Sequence, residues 1–144
     1  MKYFEDFQVG NKIVTRGRTV TETDLVNFAS FTGDWYPLHT DSEYARKTRF
    51  GERIAHGMLT LSLATGLWSP EYTMQWAFVA FYGIDGVRFT APVKIGDTLR
   101  VEFEVIEKQD TDDHNGIVNF EQSVKNQRGE VVLVAMFKLV IAKQ

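Results

Sequence analysis

The strongest constraint on the fold is the segment from Gly57 to Trp68, which carries apolar side chains on nearly every side. A helix without a polar face is buried on all sides, either in the centre of a domain or in a membrane. The segment is shorter than the roughly 18 to 20 residues that a membrane-spanning helix needs. We therefore expect it to form a helix in the centre of a folded domain, at about residues 57–68 and ended by Pro70.

The second half of the chain has the composition of β-strands. Apolar and acidic residues alternate through Val101 to Ile106, as in a strand with one buried face, and pairs such as Asn115-Gly116 mark tight turns. The segments rich in valine, isoleucine and phenylalanine are Ala77–Tyr82, Gly86–Thr90, Thr98–Lys108, Ile117–Gln127 and Val131–Ala142. With a weaker strand at Lys12–Val20, they predict an α+β domain in which an antiparallel sheet of about five or six strands wraps one buried helix.

Cap signals place two further helices before the buried one. Thr21 or Thr23 can cap a helix, and helical spacing follows over Glu22–Thr32. The capping-box spacing that begins at Thr40 predicts a short helix over Ser42–Lys47, and Asp41 is a second candidate cap for this helix. The residues between the two helices, Asp34–Thr40, are expected to form a loop.

Composition excludes several classes of function. The chain has 144 residues, 44% hydrophobic and 24% charged, which suits a single domain over residues 1–144 with a sizeable core. The net charge of −3 lacks the basic excess of nucleic-acid binders. The absence of cysteine excludes disulfides, thiolate metal sites and cysteine nucleophiles. No secretory signal or membrane span is visible, so we expect a cytoplasmic protein without nucleic-acid or membrane partners.

A segment with several functional groups, from Gly33 to His39, follows the first predicted helix. Asp34 and His39 stand five residues apart across a loop that contains proline, and such a loop can bring both side chains to one point. A carboxylate and an imidazole suit proton transfer near neutral pH, for example in activating a water molecule. The pair alone also has a structural interpretation, in which Asp34 caps a helix end or turn and His39 is a packed loop residue.

The start of the buried helix, at His56 and Gly57, holds a second group of candidates. The first amides of a helix lack internal partners and carry partial positive charge. Because glycine has no side chain, an oxyanion can approach the Gly57 N–H closely, an interaction worth roughly 3 kcal/mol per donor. The alternative is that Gly57 only allows close packing and that His56 is an interior residue.

Ser62, one turn further along the predicted helix, has two interpretations as well. Its hydroxyl either bonds back to the Met58 carbonyl or helps to place water or substrate.

Three motifs together resemble the MaoC-like dehydratase family, to which the (R)-specific enoyl-CoA hydratases belong. They are Gly33-Asp34-x-x-Pro37-Leu38-His39-x-Asp41, Ala55-His56-Gly57-Met58-Leu59-x-x-Ser62 and Phe89-x-x-Pro92-Val93-x-x-Gly96-Asp97-Thr98-Leu99. The resemblance covers most of the chain. It implies a hot-dog fold, in which a curved antiparallel sheet wraps a long central helix, and a homodimer or higher homo-oligomer with a shared sheet.

The resemblance also implies an activity. The chain is expected to be a hydro-lyase of fatty acid metabolism that hydrates 2-enoyl thioesters with (R) specificity, or dehydrates 3-hydroxyacyl thioesters. The resemblance implies no metal and no redox cofactor. Coenzyme A or an acyl carrier protein is expected only as part of the thioester substrate.

Roles for single residues follow from the matching motif positions. Asp34 and His39 resemble the catalytic pair that activates water and relays the proton. The Gly57 amide resembles the oxyanion donor, and Ser62 the active-site serine of the family. The chain departs from the family pattern at Tyr36, where asparagine is common, and this departure leaves loop packing and substrate choice open.

Four basic residues between the first two motifs are candidates for substrate contact. They are Arg46, Lys47, Arg49 and Arg53, and they can receive the phosphates of coenzyme A or the acidic residues of a carrier protein. Such a cluster is more commonly a solvated helix face. Tyr36 and His56 are further candidates beside the acyl group, although a dense set of aromatic residues is usually core.

Two other functions stay open. A hot-dog acyl-CoA thioesterase would share the fold and the Gly57 donor but would attack the carbonyl carbon, and the intact spacing of Asp34 and His39 favours the hydratase. A non-catalytic acyl-thioester-binding or regulatory module would keep the fold, and Tyr36 leaves this alternative open. A metal centre is not expected, because His39, Asp41 and His56 lack a recognised metal-ligand spacing.

Overall fold

The computed structural model describes residues 1–144, apart from the side chains of Ser69 and Pro70. The helices are α1 (Glu22–Thr32), α2 (Pro37–Thr40), α3 (Ser42–Arg46) and α4 (Gly57–Tyr72). The strands are β1 (Lys12–Val14), β2 (Arg18–Thr19), β3 (Phe78–Phe89), β4 (Thr98–Asp110), β5 (Asn115–Lys125) and β6 (Val131–Ala142).

The strands form one antiparallel sheet in the order β1-β4-β5-β6-β3, and β2 extends it by pairing with β4. Strand β3 therefore lies at one edge and β1 at the other. Helix α4 packs across the inner face of the sheet, since Trp68 contacts the rings of Phe81, Phe103 and Phe137 on three different strands. The predicted α+β architecture, a sheet around a central helix, is confirmed.

Two strand predictions differ from the structure in their bounds. The predicted strand over Lys12–Val20 is divided into β1 and β2. The segments predicted at Ala77–Tyr82 and Gly86–Thr90 form one continuous strand, β3, with register shifts at bulges. In a sequence, glycine is typical of turns and of β-bulges alike. Here Gly86 has φ +60° and lies inside the strand. The glycine bends β3 without ending it.

The cap at Thr21 is confirmed. The Thr21 hydroxyl accepts a hydrogen bond from the Asp24 amide at 3.2 Å, and the Asp24 carboxylate accepts one from the Thr21 amide at 2.8 Å. Of the two candidate caps for the next helix, Asp41 forms the cap, since it accepts hydrogen bonds from the amides of Glu43 and Tyr44 at the start of α3. The predicted loop also contains a single helical turn, α2.

Helix α4 is longer and less enclosed than predicted. It continues to Tyr72, and the predicted stop at Pro70 falls on a residue whose side chain lies outside the described ones. The prediction of burial on every side is wrong for the single chain, because Met58 is 57% exposed and Ser62 and Gly66 are exposed along the same face. The sheet covers only the opposite face. Within the described residues, no helix is long and apolar enough to cross a membrane.

Candidate active site

The catalytic-loop candidate, residues 33–39, begins where α1 ends. Gly33 adopts φ +79°, a left-handed conformation that glycine accepts without steric cost. The side chain of Asp34 folds back onto the loop backbone, since its Oδ1 accepts a hydrogen bond from the Tyr36 amide at 3.2 Å. Pro37 then opens α2 at the first helical position, which suits its fixed φ. These local preferences place Asp34 and His39 on either side of one short turn.

Two histidines connect this loop to the segment before α4. His39 Nδ1 lies 2.7 Å from the carbonyl oxygen of Ile54, and His56 Nε2 lies 3.0 Å from the carbonyl oxygen of Asp34. The two imidazole rings stack with centroids 3.9 Å apart and planes inclined by 27°. Because a carbonyl only accepts hydrogen bonds, His39 Nδ1 and His56 Nε2 each carry a hydrogen. His39 Nε2 is left as a lone-pair acceptor.

The environment of His39 favours its neutral form. Burial lowers the pKa of His39 below its ordinary 6.5, and the neighbouring His56 acts in the same direction. The Ile54 carbonyl and the Asp34 carboxylate act in the opposite direction but do not cancel the effect of burial. A neutral imidazole with a free Nε2 is the form that can take a proton from water at neutral pH.

Asp34, His39 and His56 are also close enough to be considered as metal ligands. One candidate atom from each lies within 4.8 Å of the others. A bound transition metal needs ring nitrogens whose lone pairs converge on one point about 2.0 to 2.1 Å away. The lone pairs lie in the ring planes, which are inclined by only 27° with centroids 3.9 Å apart, and this stacking disfavours such convergence. The cluster as folded suits proton transfer better than metal binding, and the absence of a metal stays a prediction.

Gly57 begins α4 beside a groove of about 230 Å³. A Cβ atom at Gly57 would lie 3.0 to 3.1 Å from three ring atoms of Phe89, so the close-packing interpretation of this glycine is correct. Its amide is in the first turn, where no helical acceptor exists, and no acceptor for it occurs among the described residues. Close packing and an N–H without an acceptor among the described residues therefore occur together at Gly57, and its role as an oxyanion donor stays a prediction. The groove is lined mainly by Arg49, Phe50, Ile54, Thr60, Phe89 and Val132.

The structure separates Ser62 from this group in the single chain. The Ser62 hydroxyl donates to the Met58 carbonyl at 2.8 Å, as in its structural interpretation. Ser62 lines a different groove, of about 510 Å³, together with Arg16 and Arg18. Asp34 and His39 do not line this groove, and the role of Ser62 as an active-site serine stays a prediction.

The four basic residues are also divided. Arg49 lines the Gly57 groove, whereas Arg46 forms an exposed ion pair with Glu43 at 2.7 Å. Arg53 binds Glu22 at 2.8 Å. Of these side chains, only that of Arg49 is placed for contact with a ligand at the Gly57 amide.

Tyr36 stands at the edge of the site. Its ring centroid is 6.0 Å from that of His39, and its hydroxyl is 3.2 Å from the hydroxyl of Tyr44. This hydrogen bond raises the pKa of Tyr44. Tyr36 is 52% exposed, so it can contact a ligand as well as pack against the loop.

The Ile54 carbonyl is a part of the site that the sequence analysis did not find. It accepts the hydrogen bond from His39, but it has no signal in the sequence, because any residue supplies the same backbone oxygen.

The comparison with known families decides the assignment. The family model described as "MaoC like domain" matches residues 6–126. The chain belongs to this MaoC-like family. Protein MaoC of Klebsiella aerogenes is 43% identical over 69% of the chain, and the match spans 29% of that protein. The MaoC-like chain thus spans less than a third of this longer relative.

Two solved structures are similar along the whole MaoC-like chain. One is described as a monoamine oxidase regulatory protein from Archaeoglobus fulgius, with 50% identity and a TM-score of 0.94, covering 99% of this chain and 95% of that one. The other is the R-hydratase PhaJ1 from Pseudomonas aeruginosa, with 34% identity and a TM-score of 0.81, covering 99% and 86%. The family and fold implied by the three sequence motifs are confirmed.

Proposed function

We propose that this MaoC-like chain catalyses the (R)-specific hydration of 2-enoyl thioesters and the reverse dehydration of 3-hydroxyacyl thioesters. The observation that carries the proposal is the environment of His39, whose neutral form is favoured and whose Nε2 is free beside the Asp34 carboxylate. The segment that His39 contacts at Ile54 leads to Gly57, whose amide has no acceptor among the described residues. A base, a carboxylate and an oxyanion donor are the groups that this reaction requires. The similarity to an R-hydratase supports the same conclusion.

The proposed reaction adds one water molecule across the C2–C3 double bond. The thioester carbonyl accepts a hydrogen bond from the Gly57 N–H, which draws electron density from C3. The Asp34 carboxylate orients the water, and His39 Nε2 takes one of its protons as the oxygen bonds to C3. The electron pair of the double bond moves to C2 and the carbonyl oxygen as an enolate. His39 then returns the proton to C2, so the thioester gains one hydroxyl and one hydrogen.

We propose that the substrate arm lies in the Gly57 groove. Arg49 stands at this groove, and its guanidinium suits a phosphate of coenzyme A or an acidic residue of a carrier protein. Coenzyme A or the carrier is then part of the substrate, with no further cofactor. The cytoplasmic location and the choice between coenzyme A and a carrier protein stay predictions from the sequence.

We also propose that the chain acts as a homodimer through β3. This strand is at the sheet edge and exposes large apolar side chains, including Val79 at 53%, Phe81 and Tyr82. An exposed apolar edge strand is suited to pairing with another chain. The open face of α4, which contains Met58 and Ser62, is a second apolar surface beside it. A second copy that covers both would enclose Ser62 at the interface.

A regulatory module is the second candidate, because the 50%-identical structure is named as a regulatory protein. A thioesterase has weaker support, since the spacing of Asp34 and His39 in the sequence matches the pattern of the hydratases. The three functions predict different products from the same substrate.

One assay separates them. The protein is incubated with crotonyl-CoA while the enone absorbance and the release of free thiol are followed together. Hydration removes the enone without thiol, a thioesterase releases thiol, and a binding module does neither. The Asp34→Asn variant should lose about 10²-fold or more in kcat, whereas Asp41→Asn, which changes a nearby helix cap, should keep most of it. If a panel of enoyl-CoA chain lengths shows no hydration above Asp34→Asn, the proposal is wrong.

A further inference from the structure

His56 is the most enclosed polar group beside the proposed catalytic pair. It is 3% exposed and lies between two rings, His39 on one side and Phe28 at 4.9 Å on the other. Its Nε2–H reaches the backbone carbonyl of Asp34, and its Nδ1 has no partner among the described side chains and backbone groups. A histidine this deeply buried does not lie in the open for a substrate to contact.

The contacts of His56 form a reciprocal connection with those of His39. The side chain of His56 holds the backbone of the loop at Asp34, while the side chain of His39 holds the backbone at Ile54, two residues before His56. The stacked rings fill the space between these two hydrogen bonds. Removing His56 would free the Asp34 backbone on one side and one face of the His39 ring on the other.

We propose that His56 is a positioning residue that fixes the geometry of the Asp34 and His39 pair and sets the proton affinity of His39. This role rests on the hydration reaction proposed above. It differs from the substrate contact that the sequence suggested for His56, since it acts through Asp34 and His39 alone. Catalytic groups depend on such support, because a displacement of about 1 Å can cost about 10²-fold in rate.

The electrostatic part of the role follows from the groups that face His39. The Asp34 carboxylate and the Ile54 carbonyl favour the protonated ring, whereas burial and His56 favour the neutral ring. The ring of Tyr36, the residue before α2, also approaches His39, and the Tyr36 hydroxyl lies at hydrogen-bond distance from that of Tyr44. Loss of His56 removes one influence that favours the neutral form. The pKa of His39 should therefore rise, and a larger fraction of the base should be protonated at pH 6 to 7.

Two substitutions separate the hydrogen bond from the ring stack. His56→Phe keeps a buried aromatic ring against His39 but cannot donate to the Asp34 carbonyl. His56→Gln keeps an N–H near the position of Nε2 but removes the stack. We expect His56→Phe to lower kcat by about 10- to 100-fold with little change in KM, and His56→Gln to recover part of the kcat. His114→Asn, in an exposed turn, is the matched control and should match the wild type.

A measurement that needs no activity accompanies the kinetics. The chain has three histidines, His39, His56 and His114, so their titration by NMR can be assigned from single variants. In His56→Phe the His39 midpoint should move to higher pH, and the acid limb of the rate profile should move with it. A purely structural role would lower the melting temperature of both His56 variants without this shift.

The outcomes are distinct from those that test the reaction. If His56→Phe leaves both kcat and the His39 titration within error of the wild type, the positioning role is wrong. If the wild type hydrates no enoyl-CoA, the proposed function fails, while the titration still decides whether His56 controls the His39 proton. A His39 midpoint that moves with an unchanged kcat would also overturn the proposal, because positioning requires both effects.

Discussion

At the residue scale, the site depends on which nitrogen of His39 is free. The bond to the Ile54 carbonyl occupies Nδ1, so the loop determines the tautomer as well as the orientation of the ring. Proton transfer then has a single available atom, Nε2, beside the Asp34 carboxylate. The loop geometry therefore favours a base that is ready at neutral pH, with no rearrangement of the ring.

The lowered pKa of His39 predicts the pH dependence of activity. The base is active only when neutral, so log(kcat/KM) should fall by about one unit per pH unit below the His39 pKa. Because burial lowers that pKa below 6.5, more than half of the base should still be neutral at pH 6.5, and activity should fall as the pH is lowered further. Stopped-flow rates with crotonyl-CoA from pH 5 to 8 give the profile. An acid limb centred above pH 7 would contradict this assignment.

The Gly57 amide can be removed by a substitution that the helix tolerates. Proline lacks the N–H and is accepted at the first position of a helix, where Gly57 lies. Gly57→Pro should lose about 10²- to 10³-fold in kcat relative to Gly57→Ala. Alanine is the matched control because it keeps the N–H while its Cβ displaces the Phe89 ring in the same way. Equal kcat values in the two variants would exclude an oxyanion role for this amide.

At the element scale, α4 carries the fold and the site together. Its first residue offers the amide, and its later turns form the core with three strands through Trp68. The helix could be predicted from sequence because its apolar character is extreme. The exposure of one face of this helix could not be predicted. Methionine, serine and glycine occur on that face, and the same residue types also occur on buried helix faces.

Two buried donors, Trp68 Nε1 on α4 and Gln122 Nε2 on β5, have no acceptor among the described residues. A buried donor without a partner destabilises the fold, and an apolar group of similar shape avoids that cost. Gln122→Leu should therefore leave the free energy of unfolding unchanged or raise it by about 1 kcal/mol. Phe120→Ala, a cavity-forming control on the same strand, should lower it by about 3 to 5 kcal/mol. Urea unfolding measures both, and a loss above about 1 kcal/mol in Gln122→Leu would show that its amide is satisfied.

At the scale of the whole molecule, the two sheet edges differ. The β3 edge is long and exposes aromatic side chains, while the β1 edge is three residues long. Short edge strands resist pairing with other chains, and long apolar ones promote it. This asymmetry supports association through β3 only.

Matched substitutions at the two edges test this association. Val79→Lys on β3 should convert a dimer to monomers at micromolar concentration, because a lysine on an exposed edge strand disfavours pairing with another chain. Val14→Lys on β1, at an equally exposed position of 52%, should leave the dimer intact. Sedimentation velocity distinguishes the two forms. A wild type that sediments as a monomer at about 100 μM would contradict the proposed dimer.

The sequence predicted most of this architecture because its signals are local. The cap at Thr21, the alternation in β4 and the apolar α4 segment each depend on neighbouring residues. The cross-connection between His39 and His56 is different, since it joins side chains to backbone carbonyls on another segment. The position of Ser62 also could not be predicted, because its distance from Asp34 depends on how the sheet and helix pack.

The contact between Gly57 and Phe89 has a consequence for how sequences of this kind diverge. The two positions are coupled, since a side chain at 57 meets the ring at 89 at 3.0 Å. Among relatives, a residue larger than glycine at position 57 should covary with a residue smaller than phenylalanine at position 89. A lineage that makes both changes should make the change at 89 first, because that order never passes through a crowded intermediate.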